Sequence, residues 1–298
     1  MSLILWIVII ILILLLIYFG VGLYAALTFS KVGEHPQYSD DPGKFGLDFE
    51  KVCFKARVDS LKIAAWYLPN PRSSKVIILV HGRNASKQNA ISGTLPRLAA
   101  ELHQAGLAVL MIDLRGHGES EGNRYMWGVK ERWDVLGAVD FLVEKGFEPG
   151  NIALLGISLG GAAAIGATIE DPAIGALVVE STFADLNTLV KPKWKEESGL
   201  PFFFLPGVFW MWHILFGFNL RHVKPVEEIS LIPPRPILIM HCQVDKDVDV
   251  SHAHRLKESV PNAKLVLFDD CSHAEIYRDH PQEYLEVLLT FLQKAWHL

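Results

Sequence analysis

Short runs of Val, Ile and Leu alternate with helical patterns along most of this 298-residue chain. Continuous apolar runs between amphipathic helices are typical of a parallel sheet that helices cover on both faces. Six such strands are expected, and two antiparallel strands over residues 47–57 and 62–68 precede them. The sequence therefore predicts an α/β fold around an eight-stranded, mostly parallel sheet. The six expected strands are residues 76–80, 107–112, 151–155, 176–179, 236–240 and 265–268, and the expected helices are residues 90–104, 129–145, 159–169, 250–259 and 281–296.

The first 30 residues contain no Asp, Glu, Lys or Arg, and 25 of them are apolar. A helix over residues 3–29 would be about 40 Å long, which exceeds the ~30 Å hydrocarbon layer of a bilayer. Trp6 near one end, and Tyr18 and Tyr24 near the other, suit interfacial positions. A cleaved signal peptide is disfavoured because the run is too long and no basic residue precedes it. Residues 1–30 are therefore expected to be a single transmembrane anchor.

The segment after the anchor indicates how the rest of the chain is attached. Residues 31–46 are rich in Pro, Gly and charged residues, which predicts a short tether before one domain over residues 47–298. Lys31, Lys44 and Lys51 follow the apolar run, whereas no basic residue precedes it. This asymmetry favours a cytoplasmic catalytic domain.

Charge and cysteine content exclude some classes of function. The net charge of -5 argues against nucleic acid as a partner, because phosphate binding needs a basic surface. Cys53, Cys242 and Cys271 are too few and too scattered for a disulfide scaffold or a zinc site. Cys242 and Cys271 follow neighbouring predicted strands, and we expect them to be a free, buried pair of thiols.

One motif carries recognisable chemistry. The segment Gly156-Ile157-Ser158-Leu159-Gly160 lies between a predicted strand and a predicted helix. A sharp turn there would hold Ser158 in strained backbone geometry, and the two glycines would remove side chains that clash across the turn. The Ser158 hydroxyl would stand above the sheet, and the amide of Leu159 would stabilise an oxyanion at the helix N-terminus. Ser158 is therefore the expected nucleophile.

With this motif in place, residues 47–298 resemble the α/β-hydrolase superfamily. His81-Gly82 follows the third strand, and residues 113–120 read DLRGHGES, which is similar to the family's D-x-R-G-x-G-x-S loop. Residues 241–249 and 269–273 resemble the family's acid and base segments, although Cys242, Asp249 and Ser272 replace the usual Gly, Pro and Gly. The resemblance implies Ser158 as nucleophile, Asp245 as acid and His273 as base, with no metal and no organic cofactor.

Each of these assignments has a rival. His81 and His117 also follow strands, but the resemblance implies structural roles for them. Asp247 and Asp249 lie close to Asp245, and Glu180 ends the sixth strand, where some relatives carry the acid. The resemblance also implies that the second oxyanion donor is the amide after His81-Gly82. That amide belongs to Arg83, with Asn84 as the alternative.

A long insertion separates the sixth and seventh strands. Residues 182–235 are too many for a structureless loop, and residues 201–218 are dense in aromatic side chains. The resemblance implies that this insertion caps the active site. It is either ordinary core or an apolar lid that faces both an acyl pocket and the bilayer. In the second case Phe209, Trp210 and Trp212 bind the substrate.

The function expected from these features is a membrane-anchored serine hydrolase. An anchor and an apolar cap favour lipophilic carboxylic esters or thioesters, and hence a role in lipid metabolism. A peptidase or an acyltransferase could use the same three catalytic side chains. A non-catalytic membrane-tethered scaffold is the alternative from another class, and it would be marked by a broken triad.

Overall fold

Eight strands and ten α-helices make up the part of the chain that the computed structural model describes, which is residues 2–33, 38 and 40–296. Residues 34–37 and 39 of the predicted tether lie outside it. The strands are β1 (Glu50–Lys55), β2 (Lys62–Leu68), β3 (Val76–Val80), β4 (Ala108–Ile112), β5 (Ile152–Ile157), β6 (Ile174–Glu180), β7 (Ile237–Cys242) and β8 (Lys264–Phe268). The helices are α1 (Leu3–Phe29), α2 (Leu95–Gln104), α3 (Glu131–Glu144), α4 (Leu159–Glu170), α5 (Leu186–Ser198), α6 (Leu205–Phe216), α7 (Pro225–Ile229), α8 (Ser251–Ser259), α9 (Ile276–Asp279) and α10 (Pro281–Ala295).

All eight strands belong to one sheet, in the order β1-β2-β4-β3-β5-β6-β7-β8. β1 pairs antiparallel with β2, and β2 pairs antiparallel with β4. Every other neighbouring pair is parallel. This architecture confirms the predicted α/β-hydrolase fold and its mostly parallel sheet.

The central strands β3, β4, β5 and β7 are buried on both faces of the sheet, as their continuous apolar runs require. Along β3 the side chains alternate between two core clusters: Val76 and Ile78 face one cluster, whereas Ile77 and Leu79 face the other. α3 and α4 contribute to the first cluster, and α2 and α10 to the second. Burying each such side chain contributes about 1.5–3 kcal/mol relative to exposure. The two-sided burial therefore holds the strand ends, and the loops that follow them, in place.

Helix α2 begins later than its sequence pattern predicts. The apolar periodicity starts at residue 90, but the helix starts at Leu95. Ile91, Ser92 and Gly93 have φ angles of 54°, 48° and 81°, which a right-handed helix cannot accommodate. Periodicity reports which residues are buried and carries no information about such a local reversal.

The chain forms two compact units. One consists of Val32–Ala184 with Pro225–Leu298 and carries the sheet. The other consists of Met1–Lys31 with Asp185–Lys224, so it contains α1, α5, α6 and the 3₁₀ helices Phe202–Phe204 and Leu220–His222. The N-terminal helix and the insertion are thus parts of the same unit, although residues 32–184 lie between them in the sequence.

Among the described residues, α1 is the one helix that is long and apolar enough to cross a membrane by itself. Its most apolar window has a mean hydropathy of 3.3. A signal sequence near an N-terminus meets the same criterion. The length and composition of α1 are therefore compatible with a membrane span, and its role as an anchor is taken up below as a proposal.

Candidate active site

Ser158 lies between the end of β5 and the start of α4, in the strained turn that the motif predicts. Its backbone has φ 53° and ψ −113°, a combination that non-glycine residues rarely adopt. A Cβ on Gly156 would lie 2.5 Å from the carbonyl oxygen of Gly160. A Cβ on Gly160 would lie 2.4 Å from the carbonyl oxygen of His81, so the turn needs glycines on both sides of the serine.

Three side chains at the carboxyl edge of the sheet form a hydrogen-bonded chain. Nε2 of His273 lies 3.1 Å from Oγ of Ser158, and Nδ1 of His273 lies 2.7 Å from Oδ2 of Asp245. Parallel strands end at the same edge of a sheet, so the loops after β5, β7 and β8 meet there. The structure thus brings together the three residues that were expected to act as nucleophile, base and acid.

The Asp245 carboxylate is held from both sides. Oδ1 accepts hydrogen bonds from the amides of Asp247 and Val248, over 2.8 and 2.9 Å. Burial by itself would raise the pKa of Asp245, but the bonds from His273 and from these two amides outweigh it and lower the pKa. Asp245 is therefore ionised near neutral pH and accepts a hydrogen bond from the Nδ1–H of His273.

Glu180, the rival acid, has a different partner. It ends β6, is fully buried, and its Oε2 accepts a hydrogen bond of 2.8 Å from the hydroxyl of Tyr284. Burial raises the pKa of Glu180 to about 7. Asp249 accepts from the amide of Ser251, at the start of α8. Of the carboxylates considered, Asp245 is the one that hydrogen-bonds to His273.

The loop after β3 approaches Ser158 closely. A Cβ on Gly82 would lie 3.3 Å from the Cβ of Ser158. The Asn84 amide donates to Nε2 of His117 over 3.2 Å, so it is already engaged. Arg83 therefore stays the candidate for the second oxyanion amide. Leu159 is the first residue of α4, where helix amides lack intrahelical acceptors, and it stays the candidate for the other.

His81 and His117 serve to hold loops. The Leu114 amide donates to Nε2 of His81 over 3.0 Å, so the proton of that ring is on Nδ1 and is donated to the Gly82 carbonyl. In the same way His117 donates from Nδ1 to the Arg115 carbonyl, 2.8 Å away. Both rings are completely buried. These hydrogen bonds agree with structural roles for both histidines. They do not support either one as the catalytic base.

Cys242 and Cys271 form a disulfide, with their Cα atoms 5.7 Å apart. The expectation of a free thiol pair was wrong. β7 and β8 are adjacent and parallel, so Cys242 at the end of β7 and Cys271 just after β8 come within bonding distance. Cys242 precedes Asp245 by three residues and Cys271 precedes His273 by two, so the disulfide lies just before both expected catalytic side chains. The bond links the two segments that carry the expected acid and base.

The three aromatic residues expected to bind substrate lie on α6 but in different surroundings. Phe209 and Trp212 are buried, and the Trp212 ring centroid lies 4.7 Å from that of Phe216. Trp210 is about half exposed, and its ring centroid lies 4.7 Å from that of Phe19 in α1. Contact of these residues with a substrate stays a prediction.

A metal-dependent alternative has no ligand set in the part of the chain that the structure describes. No group of three or more His, Cys, Asp and Glu side chains there is arranged to hold a metal ion. The chemistry considered below uses side chains and main-chain amides alone.

Part of this chain matches a known family model, and its fold is similar to that of a solved esterase. Residues 71–205, a little under half of the chain, match the family model described as Serine aminopeptidase, S33. The esterase Pf2001 of Pyrococcus furiosus has a similar fold, with a TM-score of 0.72 at 22% sequence identity, over 89% of this chain and 98% of the esterase.

Two curated relatives are similar in sequence. The uncharacterised protein Rv2307c of Mycobacterium tuberculosis is 28% identical over 208 residues, which is 69% of this chain and 66% of the relative. The chain thus spans just under two thirds of that relative's length. The thiohydrolase aneE of Aspergillus aculeatus is 32% identical over 136 residues, which is 43% of this chain and 42% of the relative.

Proposed function

The chain belongs to the α/β-hydrolase superfamily, and from that premise we propose that it is a membrane-anchored serine hydrolase of carboxylic esters or thioesters. The observation that carries the proposal is the hydrogen-bonded chain from Ser158 through His273 to Asp245. A nucleophile within hydrogen-bonding reach of a base, itself oriented by a third group, is the arrangement that activates a serine.

The reaction follows from these contacts. His273 removes the Ser158 proton as Oγ attacks the acyl carbon, and ionised Asp245 stabilises the imidazolium that forms. The amides of Leu159 and Arg83 hold the negative oxygen of the tetrahedral intermediate. The intermediate collapses to an acyl-enzyme as the alcohol or thiol leaves with the proton from His273. Water, deprotonated by His273, then releases the carboxylic acid and restores Ser158.

Similar proteins and the composition of the insertion suggest the substrate class. One relative is named a thiohydrolase and one structural neighbour an esterase, which supports an acyl group on oxygen or sulfur. Phe209 and Trp212 are the cap residues we propose to contact an acyl chain. Trp210, which packs on Phe19, is kept as a third candidate. A lipophilic acyl substrate would place the protein in lipid metabolism.

The membrane anchor is the second part of the proposal. α1 would be about 40 Å long, and the side chains of Leu3–Leu5 at its start are exposed. The Cys242–Cys271 disulfide weighs against the cytoplasmic placement that Lys31, Lys44 and Lys51 favour, because disulfides persist mainly in oxidising compartments. Because of this disulfide, we propose that the catalytic unit lies outside the cytoplasm.

A peptidase is the second candidate, because the matching family model is described as a serine aminopeptidase. An acyltransferase would use the same three side chains with an alcohol in place of water. A non-catalytic scaffold gains no support from the site, since Ser158, His273 and Asp245 are joined by hydrogen bonds.

Labelling with a fluorophosphonate probe tests the nucleophile, and p-nitrophenyl esters of increasing acyl length test the substrate. We expect Ser158→Ala to lose labelling and ester hydrolysis with little change in melting temperature, because it removes one hydroxyl group and its hydrogen bond to His273. Ser259→Ala, on the surface helix α8, is the matched control and should keep both. Labelling that survives in Ser158→Ala would reject the proposal. Faster cleavage of aminoacyl p-nitroanilides than of any ester would favour the peptidase.

A further inference from the structure

The unit formed by α1 and the insertion contains direct contacts between the two. The Tyr18 hydroxyl donates a hydrogen bond of 3.0 Å to the carbonyl oxygen of Phe203. The Tyr18 ring stacks on that of Phe204, with centroids 5.5 Å apart, and Phe19 contacts Trp210. These contacts fix the 3₁₀ helix Phe202–Phe204 and the start of α6 against one side of α1.

The backbones of α1 and α6 approach each other at two glycines. A Cβ on Gly22 would lie 3.0 Å from the carbonyl carbon and oxygen of Gly207, and a Cβ on Gly207 would lie 2.7 Å from the Tyr18 ring. Small residues at a helix crossing allow such close approach and are typical of helix pairs in membranes. The packing of α6 on α1 is therefore close and specific.

The position of these contacts along α1 sets their depth in a bilayer. About 20 helical residues cross the ~30 Å hydrocarbon layer, so a span that starts at Leu3 ends near Gly22. Tyr18, Phe19 and Gly22 then lie in the last turns of the span, on its C-terminal side. Whatever packs on these residues lies at the same depth, at the boundary between acyl chains and headgroups.

The apolar composition of the insertion suits the boundary between acyl chains and headgroups. Residues 199–220 contain no Asp, Glu, Lys or Arg, whereas Lys191 and Lys195 precede them in α5 and Arg221 follows. Large apolar side chains along this segment are exposed: Phe202, Phe203, Trp210, Ile214 and Leu215. Exposed apolar area of this extent marks contact with lipid or with another protein. Lipid is the occupant that the neighbouring membrane-length helix supplies.

A groove beside the contact supports lipid as the occupant. It has a volume of about 410 Å³ and is lined by one face of α1, including Leu16, Phe19 and Leu23, together with Met211 of α6. Its lining side chains are all apolar, which suits an acyl chain and offers nothing to a polar ligand.

We propose that residues 202–216 form a second membrane-embedded segment, which lies in the leaflet at the C-terminal end of α1 and is held there by α1. This rests on the proposed role of α1 as an anchor. The segment does not cross the bilayer, because its 3₁₀ helix of 3 residues and α6 of 12 residues would together be about 24 Å long, short of the ~30 Å hydrocarbon layer. A bend of 92° then separates Phe202–Phe216 from Leu220–Ile229. The segment enters the leaflet from the side where α1 ends.

Fluorescent labels at single cysteines test this in the full-length chain, reconstituted in phosphatidylcholine vesicles. The background is Cys53→Ser, since Cys53 is the exposed free thiol and the other two cysteines are bonded. Phe202→Cys and Ile214→Cys carry the label in the segment. Val58→Cys, equally exposed but in the turn between β1 and β2, is the control.

Labels at positions 202 and 214 are expected to lose most of their fluorescence to lipids brominated on the acyl chains and little to aqueous iodide. The label at 58 should show the reverse. Iodide quenching at 214 that equals that at 58 would overturn the proposal. Protection of 214 from both quenchers would also overturn it, because a protein surface would then cover the segment.

A pair of glycine variants tests whether α1 holds the segment. Gly22→Leu would clash with the backbone of Gly207. A Cβ on Gly20, in contrast, would have no described atom within 4 Å apart from its chain neighbours and the nearby backbone of its own helix. In Gly22→Leu the label at 214 should become less sensitive to brominated chains and more sensitive to iodide, and in Gly20→Leu it should not change. Equal quenching in the two variants would refute the positioning role of α1.

Hydrolysis of p-nitrophenyl acetate, measured on the same vesicles, keeps this test separate from the proposed activity. Quenching needs no catalysis. An inactive protein whose label at 214 is quenched by brominated lipid would reject the hydrolase and retain the embedded segment. An active protein whose label at 214 is quenched by iodide would support the hydrolase and reject the embedded segment.

Discussion

The amide of Asn84 donates a hydrogen bond to Nε2 of His117, and the Nδ1 proton of His117 is donated to the carbonyl of Arg115. The His117 ring therefore links the loop after β4 to the loop after β3. Asn84 has a φ of 54°, which this bond helps to hold. Because Asn84 directly follows Arg83, the bond also sets the direction of the peptide that we propose as an oxyanion donor.

His117→Leu should therefore lower kcat for ester hydrolysis. Loss of a whole oxyanion donor costs about 10²–10³ in kcat, and a loosened donor should cost less, about 10- to 100-fold. His103→Leu removes a comparable bond, to the carbonyl of Pro69, away from the site. Both variants should lose stability, but only His117→Leu should lose kcat. Steady-state kinetics on a short ester, with melting temperatures, makes the comparison, and equal kcat values in the two variants would contradict it.

Asp245→Asn should reduce kcat by about 10⁴-fold with a modest change in KM, because the neutral amide no longer selects the Nδ1 proton of His273 or stabilises the imidazolium. Asp249→Asn is the matched control, four residues along, where the carboxylate accepts from the Ser251 amide. We expect full activity there. If Glu180→Gln proved to be the inactive variant instead, the acid would lie at the end of β6.

Glu180 should make stability depend on pH. Its pKa is raised from 4.5 to about 7 by burial, so the folded chain binds the proton more tightly than the unfolded chain does. The resulting stability is present below about pH 4.5 and is lost as the pH rises through 7. Glu180→Gln, which is neutral at every pH, should flatten this part of the profile. Thermal unfolding at pH 5 and pH 8 measures it, and the exposed Glu144→Gln should retain the wild-type slope.

The Cys242–Cys271 disulfide should stabilise the fold. It closes a loop with a sequence separation of 29, and bonds of this kind contribute about 2–4 kcal/mol. A Cys242→Ala, Cys271→Ala double variant should unfold at correspondingly lower denaturant, whereas Cys53→Ala should not. Unreduced, denatured protein should react with one maleimide per chain, and reduced protein with three. Three reactive thiols before reduction would show that the bond is absent.

The sheet could be predicted because its signals are local. β2 and β3 have the bounds that apolar runs of five to seven residues indicate, and the elbow at Ser158 has the strained φ that its glycines imply. What could not be predicted depends on distances across the fold. Nothing near Cys242 reports that Cys271 is 5.7 Å away, since that follows from the pairing of β7 with β8.

The grouping of α1 with the insertion shows the same limit. Tyr18 and Phe203 are 185 residues apart, and each segment looks apolar on its own account. Helical periodicity predicts that a face is buried but not which helix covers it. The contact between Gly22 and Gly207 depends on how the two helices pack against each other, which neither sequence pattern reports.

The apolar cap should govern preference for acyl length, and two neighbouring residues of α6 separate its two faces. Phe209 is buried, whereas Trp210 is half exposed and packs on Phe19.

If buried aromatic side chains contact the acyl chain, Phe209→Ala and Trp212→Ala remove apolar contacts worth up to about 0.8 kcal/mol per CH₂. Together they should lower kcat/KM for a long-chain ester about 10- to 1000-fold and leave a two-carbon ester nearly unaffected. Ile214→Ala, at an exposed residue of α6 whose side chain we place in the leaflet, is the control that should keep the ratio of long-chain to short-chain kcat/KM. Trp210→Ala tests the third candidate, and a lowered ratio there would assign Trp210 to the acyl pocket. The ratio is measured in detergent micelles on variants of known melting temperature. An unchanged ratio in the double variant, with reduced stability and equally reduced activity on both esters, would show that Phe209 and Trp212 are core and that the acyl chain binds elsewhere.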